Sequence, residues 1–202
     1  MIEVECKLKI DSKDLIESML KELGFKYVKT VYENDTYFDN EDGYVRNHDS
    51  ALRIRVTKEP DINKSTTEVN FKGAKFDNRT MTRPEYETVV SDPAILEKIL
   101  NSIGYFGVEP KVNKARVLYE LSSNTYDSRL ISDSSESSYS VTACLDTVDG
   151  LGDYLELEIL VDNEFEKDTA LERIDSLLNK IGYSIDDSTT TSYLSALQNR
   201  SN

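Results

Sequence analysis

The first ten residues alternate without a break, with Ile2, Val4, Cys6, Leu8 and Ile10 on one side and Glu3, Glu5, Lys7 and Lys9 on the other. A period of two marks a β-strand with one apolar and one charged face. The same alternation returns along the chain. Residues 25–39 form an extended stretch with Glu33, Asp35, Tyr37 and Asp39 on one face. Residues 51–57 set Leu52, Ile54 and Val56 against Arg53 and Arg55. Residues 67–73 carry Glu68, Asn70 and Lys72 on one face, and after a turn-rich stretch the next strand carries Arg83, Glu85 and Glu87. Residues 108–121 place Val112, Lys114, Arg116 and Leu118 together, and residues 140–148 form a strand containing Asp146. Beyond the tight turn at Gly150-Leu151-Gly152, residues 154–161 set Leu155, Leu157 and Ile159 against Glu156 and Glu158.

Other segments switch to helical spacing. Leu15, Ile16, Met19, Leu20 and Leu23 predict a helix capped by Asp11 or Ser12 and ended by Gly24. Pro93 opens a helix to about Ile103, with Ala94, Ile95, Ile99, Leu100 and Ile103 as its core face. Residues 164–181 form a third helix around Leu171, Ile174, Leu177, Leu178 and Ile181. Residues 191–198 form a short last one, with Tyr193, Leu194 and Leu197 turned inward. Residues 40–50 and 58–66 read as loops, and the Ser- and Asp-rich 122–138 as a mobile hairpin loop or irregular insert. The strand connections are mostly too short for parallel crossovers, so the expected sheet is antiparallel. The order strand, helix, strands occurs twice, which suggests a weak duplication.

Composition narrows the possibilities. A chain of 202 residues is expected to form one domain, 1–202, large enough for a real core. The net charge of −14 argues against a polymeric nucleic acid as partner. No apolar run is long enough for a membrane span, and the charged first strand leaves no room for a signal peptide. Cys6 and Cys144 both fall in strands, so a reduced, cytoplasmic protein is expected. The single histidine, His48, lies in a polar loop and reads as a surface residue, which removes His-based zinc sites and His-dependent triads.

Charge adds the decisive feature. Residues two apart on a strand lie roughly 6.6–7 Å apart on one face. Here such neighbours are sorted by sign: Arg53/Arg55 and Lys114/Arg116 are doubly basic, Glu156/Glu158 doubly acidic. Neighbouring like charges cost energy unless something of opposite sign lies between them. A solvated sheet face with surface salt bridges worth ~0–1 kcal/mol is the plain explanation for any one pair. For the whole set, a cavity explains more. Helices must cover the apolar strand faces, which leaves the charged faces outside or lining an interior. A closed sheet of about eight strands has room for one small ligand. A basic wall suits a polyphosphate, and an acidic wall suits the divalent cation that phosphate oxygens share.

The ordered motifs carry a resemblance. They are Glu3-x-Glu5-x-Lys7, Asp35-Thr36-Tyr37-Phe38-Asp39, Ala51-Leu52-Arg53-Ile54-Arg55, Phe71-Lys72-Gly73, Arg83-x-Glu85-x-Glu87, Lys114-x-Arg116-x-x-Tyr119 and the run from Leu145-Asp146 to Glu156-x-Glu158. Together they resemble the CYTH superfamily, the triphosphate tunnel metalloenzymes, and within it the class IV adenylyl cyclase-like branch. The resemblance implies an α+β fold, an eight-stranded antiparallel β-barrel with flanking helices, acting on a triphosphate with Mg²⁺ or Mn²⁺. It implies phosphate binding by Lys7, Arg53, Arg55, Lys72, Arg83, Lys114 and Arg116, with Lys7, Lys72 and Arg55 closest to the chemistry. It implies an acidic, metal-binding side of Glu3, Glu5, Glu85, Asp146, Glu156 and Glu158, with Glu87 close by. Glu33 stands where the family often has Gln, and Asn70-Phe71 replaces a commoner Thr-Tyr. The implied substrate is ATP, tripolyphosphate or thiamine triphosphate. Cyclase, triphosphatase and non-catalytic sensor all stay open on the residues, as does a homodimer.

Overall fold

The computed structural model describes residues 2–76, 80–122 and 140–200. The eight strands are β1 (Ile2–Lys9), β2 (Lys26–Asp39), β3 (Ala51–Glu59), β4 (Lys64–Lys72), β5 (Arg83–Val89), β6 (Phe106–Ser122), β7 (Ser140–Val148) and β8 (Gly152–Val161). They close into a barrel in the order β1-β5-β4-β3-β2-β6-β7-β8. Every neighbouring pair is antiparallel, as the short connections require. The long β2–β6 ladder shifts register between Tyr27 and Lys29 and again between Asp35 and Tyr37. Such bulges bend long strands round a closed sheet.

The helices are α1 (Lys13–Glu22), α2 (Tyr44–Asn47), α3 (Pro93–Ser102), α4 (Lys167–Lys180) and α5 (Tyr193–Arg200). Ser12 caps α1, its side chain accepting from the Leu15 N–H. Gly24 follows the helix at φ 92°, a conformation that costs glycine little. Asp92 accepts from the Ile95 N–H at 3.0 Å to start α3, with Pro93 in its first turn. Among the described residues no helix is long and apolar enough to cross a membrane.

The apolar face of β1 behaves as its alternation demands. Val4, Cys6, Leu8 and Ile10 are buried with Ala143, Leu145, Leu155, Leu157 and Ile159 of β7 and β8. Ile16 and Leu20 of α1 and Ile174, Leu177 and Leu178 of α4 cover them. Each such side chain contributes about 1.5–3 kcal/mol by leaving water. Because this core wraps the outside of the barrel, the opposite faces of the same strands point into it. A smaller cluster joins Phe38, Ile54 and Leu100 under α3, and another puts Tyr193 of α5 against Val112, Val148, Leu151 and Tyr154.

Four local expectations are revised. The expected loop at 58–66 is mostly strand: β3 and β4 pair out to Glu59 and Lys64, joined by a 3₁₀ turn at Pro60–Ile62. Asn63 closes it at φ 48°, which Asn tolerates better than most residues. Within the expected loop 40–50, α2 forms because Asp39 Oδ1 accepts from the Val45 N–H at 2.8 Å and Oδ2 from the Arg46 N–H at 3.1 Å. A four-residue helix leaves no periodicity to read. The third expected helix opens with a 3₁₀ turn, Glu164–Glu166, before α4. The core face of α3 is also narrower than expected. Leu100 is buried, while Ile95, Ile99 and Ile103 are exposed because α3 covers only one small corner of the barrel. His48 is exposed, as expected. The expected insert at 122–138 lies outside the described residues except for Ser122, at the end of β6.

Candidate active site: a channel of paired charges

The inward faces of β1 to β6 and β8 line a cavity of about 1070 Å³. Lys7, Arg53, Arg55, Lys72, Arg83, Lys114 and Arg116 all line it, as do Glu3, Glu5, Glu85, Glu156 and Glu158. The alternating charges of the sequence therefore converge on one enclosed space. The segment 40–50 and the start of α5 add polar groups to the lining.

The charges are not separated into a basic and an acidic wall. They interleave. Asp35 accepts from Arg55 Nε and Nη2 at 2.7 Å each and pairs with Arg53 Nη1 at 3.3 Å. Glu33 lies 3.0 Å from Arg55 and 3.1 Å from Lys114. Asp146 accepts from Arg116 Nε and Nη2 at 2.7 and 2.6 Å, and Glu156 also meets Arg116. Burial alone would push these carboxylates towards neutrality, and the cations overcome it. Lys114 and Arg55 hold Glu33 down at about 2. Arg55 and Arg53 hold Asp35 well below the usual range, and Arg116, Lys114 and Lys7 do the same for Glu156.

A second cluster is short of positive charge. Lys72 Nζ meets Glu3, Glu85 at 3.1 Å and Glu5 at 3.8 Å. Among the described residues, Glu158 pairs with Arg116 at 3.8 Å and accepts from Cys144 Sγ at 3.9 Å. Burial pushes Glu158 up to about 7, helped by Glu5 and Glu156 and opposed by Arg116. Burial also raises Glu3 well above the usual carboxylate range, and Glu5 and Glu158 add to it against Lys72. Glu85, which shares a hydrogen bond with Glu3 and faces Lys72, is held at about 2 against burial. These are hard oxygen donors with more negative charge than one lysine neutralises, a set that fits Mg²⁺ or Mn²⁺. Among the described residues no three metal-ligating side chains form a ready-made cage.

Two cations stand ready for an anion. Lys7, only 2% exposed, and Arg83 make no ion pair among the described residues. The buried Nε atoms of Arg83 and Arg53 have no hydrogen-bond partner there either. An unpaired buried donor is costly unless a ligand completes it.

Asp146, expected among the metal ligands, is not among the residues that line the cavity. Asp146 is fully buried behind the lining, bound by Arg116, by Lys114 at 3.3 Å and by the Tyr193 hydroxyl at 3.1 Å. Its place in the alternation was legible; that its neighbours would fill its oxygens was not, because those bonds cross three elements. Conversely, Glu33 and Asp35 emerge as counter-ions for the arginines. Their signal was their shared face with Tyr37 and Asp39. Tyr193 emerges as well, and nothing in the sequence distinguishes it from an ordinary core aromatic.

The fold and this interior define a closed antiparallel barrel enclosing a channel of buried, opposed charges. Residues 1–193 match the family described as CYTH domain, and the chain belongs to that family. It is 35% identical over 194 residues to a Methanocaldococcus jannaschii protein named "Putative adenylate cyclase", covering 96% of this chain and 97% of that one. The PH1819 protein of Pyrococcus horikoshii has a similar structure, with a TM-score of 0.79, 28% identity and coverage of 98% and 99% of the two chains. A Hippeastrum protein described as having a dominant triphosphatase activity shares the fold at a TM-score of 0.59 and 17% identity, covering 98% and 95%.

Proposed function

We propose that this chain is a divalent-metal-dependent enzyme acting on a triphosphate, of the class IV adenylyl cyclase type, converting ATP to cyclic AMP and pyrophosphate. The observation that carries the reading is the pairing, inside one channel, of unspent cations with unspent carboxylates. Lys7 and Arg83 make no ion pair among the described residues, while Glu3, Glu5 and Glu85 crowd the single Lys72 and Glu158 reaches Arg116 at 3.8 Å. A triphosphate with a divalent cation supplies both missing charges. The name carried by the M. jannaschii relative supports the cyclase form.

Glu3, Glu5 and Glu158 would hold Mg²⁺ or Mn²⁺, with Glu85 and Glu156 at their sides. The bound metal would polarise a phosphoryl oxygen and make the attacking hydroxyl more acidic. Arg53, Arg55, Lys72, Arg83, Lys114 and Arg116, with Lys7, bind phosphate oxygens and stabilise the charge that grows on the leaving pyrophosphate. Asp35, Glu33 and Asp146 keep the arginine forks aimed, so little reorganisation is needed when the substrate arrives. In a cyclase the ribose 3′-hydroxyl attacks the α-phosphorus, the bond to pyrophosphate breaks, and the hydroxyl proton is lost. In a triphosphatase water attacks the terminal phosphorus, and the same cations serve. The second reading, a triphosphatase acting on tripolyphosphate or thiamine triphosphate, draws on the activity described for the Hippeastrum barrel.

The test offers ATP and tripolyphosphate separately with Mg²⁺ or Mn²⁺ and measures cyclic AMP against released phosphate. Cyclic AMP with stoichiometric pyrophosphate is expected. Phosphate release alone selects the triphosphatase. Tight binding without turnover makes the channel a sensor, and no binding overturns the reading.

A further inference from the structure

Part of the channel lining comes from α5 rather than from a strand. Tyr193 opens α5 and is 6% exposed, packed edge-on against Tyr154 with ring centroids 5.0 Å apart. Over its ring stand two ammonium groups, Lys7 Nζ at 4.6 Å and Lys114 Nζ at 5.2 Å from the centroid. Its hydroxyl donates to Asp146 Oδ2 at 3.1 Å. Lys114 has carboxylates as well, at 3.1 Å on Glu33 and 3.3 Å on Asp146. Lys7 has none within ion-pair distance among the described residues; Glu156 and Glu5 favour its charge from further off, and the Tyr193 ring stands directly against its ammonium.

A buried ammonium needs something to hold it. A carboxylate would do so but would also spend the charge that a phosphate needs. The negative face of an aromatic ring attracts a cation without neutralising it. We propose that Tyr193 is a positioning residue of the triphosphate site: its ring holds the Lys7 ammonium group towards the channel with its charge unspent, beside the carboxylate-paired Lys114 over the same ring. This rests on the reading that a triphosphate binds in the channel.

α5 is anchored independently of this ring. Leu194, Ala196 and Leu197 pack on the barrel beside Val112 and Val148, and Gln198 donates to the Glu109 carbonyl at 3.0 Å. The ring face can therefore be altered without undocking the helix. The experiment compares the full-length wild type with Tyr193→Phe and Tyr193→pentafluorophenylalanine, which has nearly the same shape but no negative face. Tripolyphosphate affinity is measured by calorimetry, KM and kcat by turnover, and folding by thermal melting.

Tyr193→Phe is expected to bind like the wild type. The fluorinated variant is expected to bind about tenfold more weakly, with KM raised by a similar factor and the melting curve little changed. Equal binding by the two variants would overturn the proposal and leave Tyr193 a packing residue. A full loss already in Tyr193→Phe would overturn the role of the ring in favour of the hydroxyl bond to Asp146. A wild type that binds no tripolyphosphate defeats the underlying functional reading instead, and is seen before any variant is compared.

Discussion

The eight strands fall into two runs of four that hold equivalent places in the ring. Exchanging β1 with β5, β2 with β6, β3 with β7 and β4 with β8 leaves the ring order unchanged, read in the opposite sense. α1 follows β1 as α3 follows β5. The channel charges do not repeat; they invert. β2 brings Glu33 and Asp35 where β6 brings Lys114 and Arg116. β3 brings Arg53 and Arg55 where β7 brings Asp146, and β4 brings Lys72 where β8 brings Glu156 and Glu158. Two halves of like charge would set repelling groups across β2 and β6. Inverted halves put Glu33 3.1 Å from Lys114 instead. Burying charges is tolerable only when each finds a partner, and inversion supplies the partners.

The inversion is incomplete at the pair β1 and β5. Glu3 stands in register with Arg83, but Glu5 on β1 and Glu85 on β5 are both acidic. That is where the surplus carboxylates gather around Lys72. The contrast teaches that one backbone plan can carry a self-neutralised scaffold on most of its circumference and an unneutralised site on the rest.

The strongest way to break the comparison is to remove a cation from the neutralised side. Arg116→Met takes the main counter-ion from Asp146 and Glu156, leaving Asp146 to Lys114 and Tyr193, and urea unfolding should show a loss of about 3–5 kcal/mol. A loss within the scatter of surface substitutions would mean that the two halves do not neutralise each other. Next comes ligand stabilisation of the other side. Mg²⁺ with tripolyphosphate at about a hundred times Kd should add ~2.7 kcal/mol, or roughly 5–10 °C in melting temperature. An unchanged melting curve would count heavily against a cation site there.

Arg55→Ala tests whether a neutralised cation still serves chemistry. Arg53 remains beside Asp35, so circular dichroism should be unchanged while turnover falls about tenfold or more. Near-normal turnover would confine Arg55 to a structural role.

The gentlest probe is pH, because the two sides titrate in opposite directions. Glu33, held at about 2 in the folded state, contributes stability present above its unfolded pKa near 4.5 and lost as pH falls towards 2. Glu158, pushed up to about 7, contributes stability present below 4.5 and lost as pH rises through 7. Stabilisation by Mg²⁺ with triphosphate should therefore be larger at pH 8 than at pH 6, since the cation replaces a proton that Glu158 has given up. Equal thermal shifts at both values would separate Glu158 from the metal.

Much of this was legible in the chain. A period of two determines which side chains share a strand face, so the charged set from Glu3 to Glu158 could be named before any coordinate was known. The apolar sets likewise implied the outer core under α1 and α4. What remained hidden depends on contacts between elements far apart in sequence. The alternation that put Asp146 on the channel side could not say that Arg116 would occupy it, and Leu96 and Leu100 rather than Ile95 and Ile99 face the barrel because α3 meets a small patch of Phe38, Leu52, Ile54 and Tyr105.

The local pattern determined that charges of sorted sign would project from one side of an antiparallel sheet, because side-chain direction along a strand is set by backbone geometry alone. Tertiary closure decided which charges cancel and which stay unspent, and brought Tyr193 from the last helix against Lys7 of the first strand. Electrostatic pairing depends on distances across the ring, and no spacing along the chain encodes those.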